Sequence, residues 1–235
     1  MKLISSDGIC ISQVMSSNNP LLLSYDNNYI LVDTGRKEKC DVIIERLAKL
    51  LKGQPLKALI INHAHYEHVE NVAAIKEKFN PKIIVHEREA EYVEKGESSP
   101  LPSWNYVKGE KINNCPSTKW HFTPAQADIL VDKRLDLAEY GFNGYILWTP
   151  GHSPGSLSII INDEIAIVGD ALGGMEKKPY AKKINIASGE TKNSWEALIE
   201  LNCRQYITTH SGILDHEELL NKYNNYCAEA MKLLE

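Results

Sequence analysis

Three features of the sequence predict an α/β protein. Paired β-rich runs open it, apolar runs then alternate with amphipathic helical stretches, and four separate apolar runs break abruptly into His, Asp or Glu. In α/β architectures ligands sit in the crevice beyond the C-terminal ends of the strands, so those four breaks mark where a site belongs. With 235 residues, 43% hydrophobic and 24% charged, the chain can bury a sizeable core, and a single domain over 1–235 is expected.

Taken in order, Ile9 to Met15, Leu21 to Tyr25 and Tyr29 to Val32 read as strands. Asp26-Asn27-Asn28 has turn composition, so an antiparallel N-terminal sheet is expected. From Cys40 to Lys52, apolar Ile43, Ile44, Leu47, Leu50 and Leu51 fall on one helical face, and Gly53 supplies a stop. Leu59 to Ile61 is too short for a helix and reads as a buried strand. A helix from about Glu70 to Phe79, a strand Ile83 to Val85 and a helix Glu87 to Lys95 follow. The Gly/Ser/Pro-rich connection through Pro102 is the most loop-like stretch and is expected to border the site. Trp104 to Leu137 mixes short β-like runs with turns.

Further strands are expected at Tyr145 to Thr149, Leu157 to Ile161, Ile165 to Val168 and Gln205 to Thr208. The first ends in Pro150-Gly151-His152-Ser153-Pro154-Gly155, where two glycines and two prolines fix a tight turn around one imidazole. Asp215-His216-Glu217-Glu218 has the pattern of a capping box. The final helix is expected to pack Leu219, Leu220, Tyr223, Cys227, Ala230, Met231 and Leu234.

Composition excludes several functions. A net charge of -5 leaves no electrostatic footprint for nucleic acid or an anionic membrane surface. Neither a long apolar leader at Met1 to Asp7 nor a bilayer-length run is present, so a cytoplasmic protein is expected. Five scattered cysteines (Cys10, Cys40, Cys115, Cys203, Cys227), none in a C-x-x-C pair, indicate free thiols.

The densest chemistry is His63-Ala64-His65-Tyr66-Glu67-His68. Buried neutral imidazoles each need a hydrogen-bond partner, whereas one divalent cation satisfies several at once. Such nitrogen ligands suit zinc first, with iron, manganese or cobalt next; the plainer alternative is a solvated polar loop. His152, Asp170 and His210 each lie just past a later apolar run.

Together, Val32-Asp33-Thr34-Gly35, His63-x-His65-x-Glu67-His68, Thr149-Pro150-Gly151-His152-Ser153-Pro154-Gly155, Gly169-Asp170 and Thr209-His210 resemble the metallo-β-lactamase-fold superfamily. The resemblance implies a four-layer αββα sandwich, two mixed β-sheets face to face with helices outside. It further implies one or two metal ions, with His63, His65 and His152 on the first, Glu67, His68 and His210 on the second, and Asp170 bridging. Asp33 would orient a ligand through a hydrogen bond. In one place the chain departs from the family pattern, H-x-H-x-D-H, which has aspartate where Glu67 stands. The extra methylene displaces the carboxylate by roughly 1.5 Å, against the tolerance of about 0.2 Å of a metal–ligand bond, so either the backbone shifts or the second site weakens.

Bound cations lower the pKa of water toward neutrality and polarise a carbonyl or phosphoryl oxygen. The expected activity is therefore hydrolysis, by a metal-bound hydroxide that Glu67 and Asp170 orient, of a small ester, thioester, lactone or similar acyl or phosphoester substrate. The chain's size suits stand-alone members resembling glyoxalase II or lactonases. Two alternatives remain open: a non-haem iron oxygenase or redox member of the same fold, and a binding module that retains metal without turnover. Lys177, Lys178, Lys182 and Lys183 read as solvated, but if they fold over the site they select an anionic substrate. Tyr66 and Tyr180 can supply an aromatic wall. His86, Trp195 and Cys203 read as structural, and His121 and His216 as solvated.

Overall fold

Side chains alternate faces along a strand, and here both faces of most strands are apolar, so each sheet must be covered on both sides. The computed structural model describes residues 2–17, 19–100, 121–173, 175 and 189–232. Its first sheet is β1 (Lys2–Ser6), β2 (Ile9–Gln13), β3 (Leu21–Tyr25), β4 (Asn28–Val32), β5 (Ala58–Ile60), β6 (Lys82–His86) and β7 (Ile129–Val131), side by side in that order. The strands are antiparallel up to β4 and parallel from β4 to β7. The second sheet runs in reverse order from β13 (Ile213–Asp215) through β12 (Gln205–Thr208), β11 (Ile165–Gly169), β10 (Leu157–Ile161) and β9 (Gly144–Trp148) to β8 (Arg134–Asp136). Its one parallel pair is β11 with β12.

Three apolar clusters separate four layers. Leu21, Leu23, Ile30 and Val32 meet Ile159, Ile161, Ile165 and Ile167 between the sheets. The intervening Leu22 and Leu31 point the other way, onto helices α1 (Cys40–Leu51), α3 (Val72–Phe79) and α4 (Glu87–Lys95). Ile160, Ala166 and Val168 likewise face α5 (Gly189–Glu200) and α6 (His216–Lys232). This is the expected αββα sandwich, with period-two alternation assigning each residue to its layer.

Several local expectations are revised. The helix expected from about Glu70 to Phe79 is α3, which starts at Val72, and a short helix that was not expected, α2 (Tyr66–Val69), precedes it; Asn71 leaves helical geometry between the two. Its buried amide Nδ2 lies 2.9–3.1 Å from the carbonyls of Thr34, Gly35 and Arg36. Strands β1 and β13 and helix α5 add to the expected elements. Helix α6 does carry the capping box, with Asp215 N donating to Glu218 Oε2 at 3.0 Å and Glu218 N to Asp215 Oδ1 at 2.8 Å. Its packing face has Leu219 and Ala230 buried and Tyr223 and Cys227 half-buried as expected, with Tyr226 added, while Leu220 and Met231 are exposed at 37% and 64%. Trp195 and Cys203 are core, and burial pushes the Cys203 thiol up to about 11. His86 is structural, accepting from Arg88 N at 3.0 Å as the cap of α4. His121 is exposed as expected, whereas His216 is half-buried, its Nδ1 3.3 Å from the Tyr206 hydroxyl. Cys115, Tyr180, Leu234, the four lysines after Met175 and much of Trp104 to Leu137 lie outside the described residues.

Candidate metal centre

The strand ends that the sequence singled out converge at one edge of the sandwich. Past β4, Asp33 adopts a φ of 62° and turns its carboxylate back toward β5. Its Oδ1 accepts from Asn62 N at 2.8 Å, and its Oδ2 lies 2.8 Å from His68 Nδ1, the expected orienting bond. Past β5 come His63 and His65, past β9 His152, past β11 Asp170 and past β12 His210. At Gly169 a Cβ would overlap the Asn62 amide, so only glycine lets β11 approach the histidine loop this closely.

The potential ligand atoms fall into two groups, each within 4.8 Å of one another: His63, His65 and His152, then Glu67, His68, Asp170 and His210. In the first, His63 Nε2 and His65 Nδ1 are 2.9 Å apart, and His152 Nε2 is 3.2 and 3.0 Å from them. Tetrahedral zinc with bonds of about 2.0–2.1 Å sets its nitrogens about 3.3–3.4 Å apart, close to this triangle.

Hydrogen bonding outside the triangle makes its interior electron-rich. Asn62 directs Nδ2 at the Leu157 carbonyl, so Oδ1 faces His63 Nδ1 at 2.8 Å and accepts its proton. His65 Nε2 donates to the Pro100 carbonyl at 3.2 Å, which also places the loop after α4 beside the site, as expected. The inner nitrogens of His63 and His65 are then both lone pairs, and two lone pairs at 2.9 Å repel unless a positive charge lies between them. A proton is a poor candidate. Burial, then the charges of His68, His65 and His152, hold His63 well below the usual imidazole range. Burial and His65 do the same to His152. The donor set fits a metal cation.

The second group is mixed. His68 Nε2 and Glu67 Oε2 are buried and have no hydrogen-bond partner among the described residues. Burial opposes charge on His68, but the Asp33 and Asp170 carboxylates raise it well above its ordinary value. The hydrogen bond that His210 donates to Asp170 raises His210 as well. Burial disfavours charge on Asp170, yet the neighbouring imidazoles, His210 first and then His68, hold it far below the usual carboxylate range. Asp170 Oδ2 stands between the groups, 3.3 Å from His210 Nε2, 3.6 Å from those of His68 and His152, and 4.0 Å from that of His63.

Glu67 does reach this group. It sits in the first turn of α2, whose start is tied down by Asn19 Nδ2 donating to the Glu67 carbonyl at 2.9 Å. All seven residues singled out in the sequence are thus brought together. The supporting amides Asn19, Asn62 and Asn71 were not singled out, and only the place of Asn62 directly before His63 hinted at a role.

A family model described as the Metallo-beta-lactamase superfamily matches residues 16–210. A probable metallo-hydrolase of Methanocaldococcus jannaschii is 30% identical over 158 residues, 67% of this chain and 68% of that protein. The Bacillus subtilis probable metallo-hydrolase YflN is 27% identical over 167 residues, 68% of this chain but only 61% of that longer protein. The Haemophilus influenzae hydroxyacylglutathione hydrolase GloC is 25% identical over 173 residues, 70% of this chain and 72% of that protein. Among solved structures, the metallo-beta-lactamase MIM-1 from Novosphingobium pentaromativorans superimposes with a TM-score of 0.65 at 15% identity, covering 92% of this chain and 83% of that one. At that identity the likeness concerns the fold alone.

Proposed function

This chain belongs to the metallo-beta-lactamase superfamily, and we propose that it is a single-domain hydrolase of small acyl compounds that uses two divalent cations, zinc in the first instance. The observation that carries this reading is the position of Asp170 Oδ2, within 3.3–4.0 Å of imidazole nitrogens from both groups. His63, His65 and His152 would hold the first ion and Glu67, His68 and His210 the second, with Asp170 shared between the two groups. Cations held there acidify a water and polarise the scissile oxygen.

The chain's own contribution is placement and proton handling. Asp33 keeps the proton of His68 on Nδ1, and Asn62 keeps that of His63 on Nδ1, so both rings present Nε2 inward. Glu67 and Asp170 would accept hydrogen bonds from the attacking water and aim it. Among substrates, a thioester leads, since a relative named as a hydroxyacylglutathione hydrolase aligns over most of both chains. Esters and lactones follow, for their carbonyl chemistry is the same. The test is elemental analysis of the purified protein alongside turnover of chromogenic thioesters, esters, lactones and phosphodiesters. Thioester turnover that chelator abolishes and zinc restores is the expected result. Protein free of metal, or metal without hydrolysis of any of the four classes, overturns the reading.

A further inference from the structure

Glu89 is a charged side chain that the proposed chemistry leaves unused. It lies on α4, is not one of the seven clustered residues, and is fully buried, which for a glutamate requires compensation. The compensation comes from two backbone donors on opposite halves of the molecule. Ala64 N donates to Oε2 at 3.0 Å, and Gly155 N donates to Oε1 at 3.0 Å. Ala64 is the residue between His63 and His65, and Gly155 closes the turn that carries His152. One carboxylate therefore grips both loops that bring the three imidazoles together.

Neighbouring contacts show that the grip is built in. At Gly155 a Cβ would overlap Glu89 Cγ and come within 3.0 Å of His86, so the turn can seat on the carboxylate only without a side chain. The start of α4 is also docked on the second half. His86 stacks on Trp148 with ring centroids 5.2 Å apart, and the Arg88 guanidinium lies 4.7 Å from the Trp148 ring centroid. Trp148 Nε1 in turn donates to Pro154 O at 3.0 Å, inside the His152 turn. The other polar atom of Ala64, its carbonyl, accepts from Ser99 N at 2.8 Å, so both backbone atoms of that residue are fixed.

We propose that Glu89 is a positioning residue that sets the separation of His63 and His65 from His152 by holding the Ala64 and Gly155 amides on its two oxygens, and so tunes the affinity and geometry of the first cation site. The inference rests on the reading of those histidines as metal ligands. It predicts a specific failure in Glu89→Gln, which keeps shape and size. A carboxamide has one acceptor oxygen, so one of the two amides must face an NH2 group and its loop must move.

The experiment compares wild type, Glu89→Gln, Glu89→Asp and Tyr206→Phe. Tyr206→Phe serves as the control for lost stability alone, since its hydroxyl bridges Cys203 N and Leu198 O at 3.0 and 2.9 Å in the opposite layer. For each protein, zinc affinity is read by competition with a chromophoric chelator, cobalt(II) geometry by the visible spectrum, and metal-free stability by urea unfolding. Outer partners of metal ligands typically contribute about 10–100-fold in affinity, and a loss of that size is expected for Glu89→Gln, with an altered cobalt spectrum. Tyr206→Phe is expected to lose stability while keeping wild-type affinity and spectrum. Glu89→Asp, whose shorter arm cannot reach both amides, is expected to weaken zinc too, and it decides the matter if the glutamine variant does not fold.

Wild-type zinc affinity and cobalt spectrum in the Glu89 variant that folds would overturn the assignment. So would an equal loss of affinity in Tyr206→Phe at matched stability. Either result leaves the metal centre itself intact. Wild type that takes up no metal would instead overturn the reading of the site, and the role of Glu89 with it.

Discussion

The three-imidazole group and the Glu67 group lie side by side, joined by His63 and His68 with ring centroids 4.0 Å apart, yet they are built differently. The first consists of one kind of donor, and its side chains are almost wholly enclosed, His63 at 0% and His152 at 13% exposure. The second mixes two carboxylates with two imidazoles and spans the full range of burial, from His68 at 0% to His210 at 65%. A preassembled, enclosed set loses little freedom when it binds, whereas a group completed by an exposed side chain must order that side chain first. On the proposed reading, the contrast predicts one strong site and one weaker, exchangeable site beside it.

The harshest test of that contrast is the pair His63→Ala with His152→Ala, which dismantles the enclosed group. Nearly all bound metal and all hydrolysis are expected to disappear in elemental and activity assays. Metal content equal to wild type would show that the enclosed group is not the strong site.

Next in size is Asp170→Ala. Since this oxygen faces both groups, the second ion is expected to leave before the first, and turnover to fall by at least about 10–100-fold, the scale on which even outer partners of a metal site count. Stoichiometry and rate at wild-type levels would remove Asp170 from the centre.

His210→Ala should separate the two groups most cleanly. Affinity for the second ion is expected to drop by at least about tenfold, as even outer partners cost that much, while the first ion is retained. Calorimetric titration with zinc resolves the two events, and a loss of the tighter one would reverse the ranking of the sites.

The smallest expected effect is that of Glu67→Asp, which restores the pattern from which this chain departs. Occupancy of the second site is expected to hold or rise by less than about tenfold. In crystals grown with excess zinc, the wild-type Glu67 carboxylate is expected within roughly 2.0–2.2 Å of an ion. A carboxylate turned to solvent beside an empty second position would assign the weaker site no role for Glu67.

Much of this was legible in the chain. Apolar runs such as Leu21-Leu22-Leu23 and Ile159-Ile160-Ile161 read as strands, and the helix Glu87 to Lys95 was found to the residue. The shortfalls have local causes. β13 spans three residues and β1 five; both are sheet edges with a partner on one side only, and they owe their form to that partner rather than to any period of their own. The short helix α2 went unread, and Asn71, which separates it from α3, looks like any surface asparagine until the loop 34–36 lies against it.

The seven clustered residues illustrate the same division. Their chemical kinds, their order and their places after apolar runs are written in the sequence, because turn composition and strand length are short-range properties. Their meeting is not, since His63 and His152 touch across 89 positions only once two sheets have closed face to face on a shared apolar layer. The same closure turned an ordinary Glu in Glu87-Arg88-Glu89 into a buried clamp, fixed which nitrogen of each ring points inward, and brought Glu67 to the second group despite its extra methylene. Hydrogen-bond partners and burial are properties of the assembled interior, where a polar atom removed from water must find its match in whatever part of the chain arrives beside it.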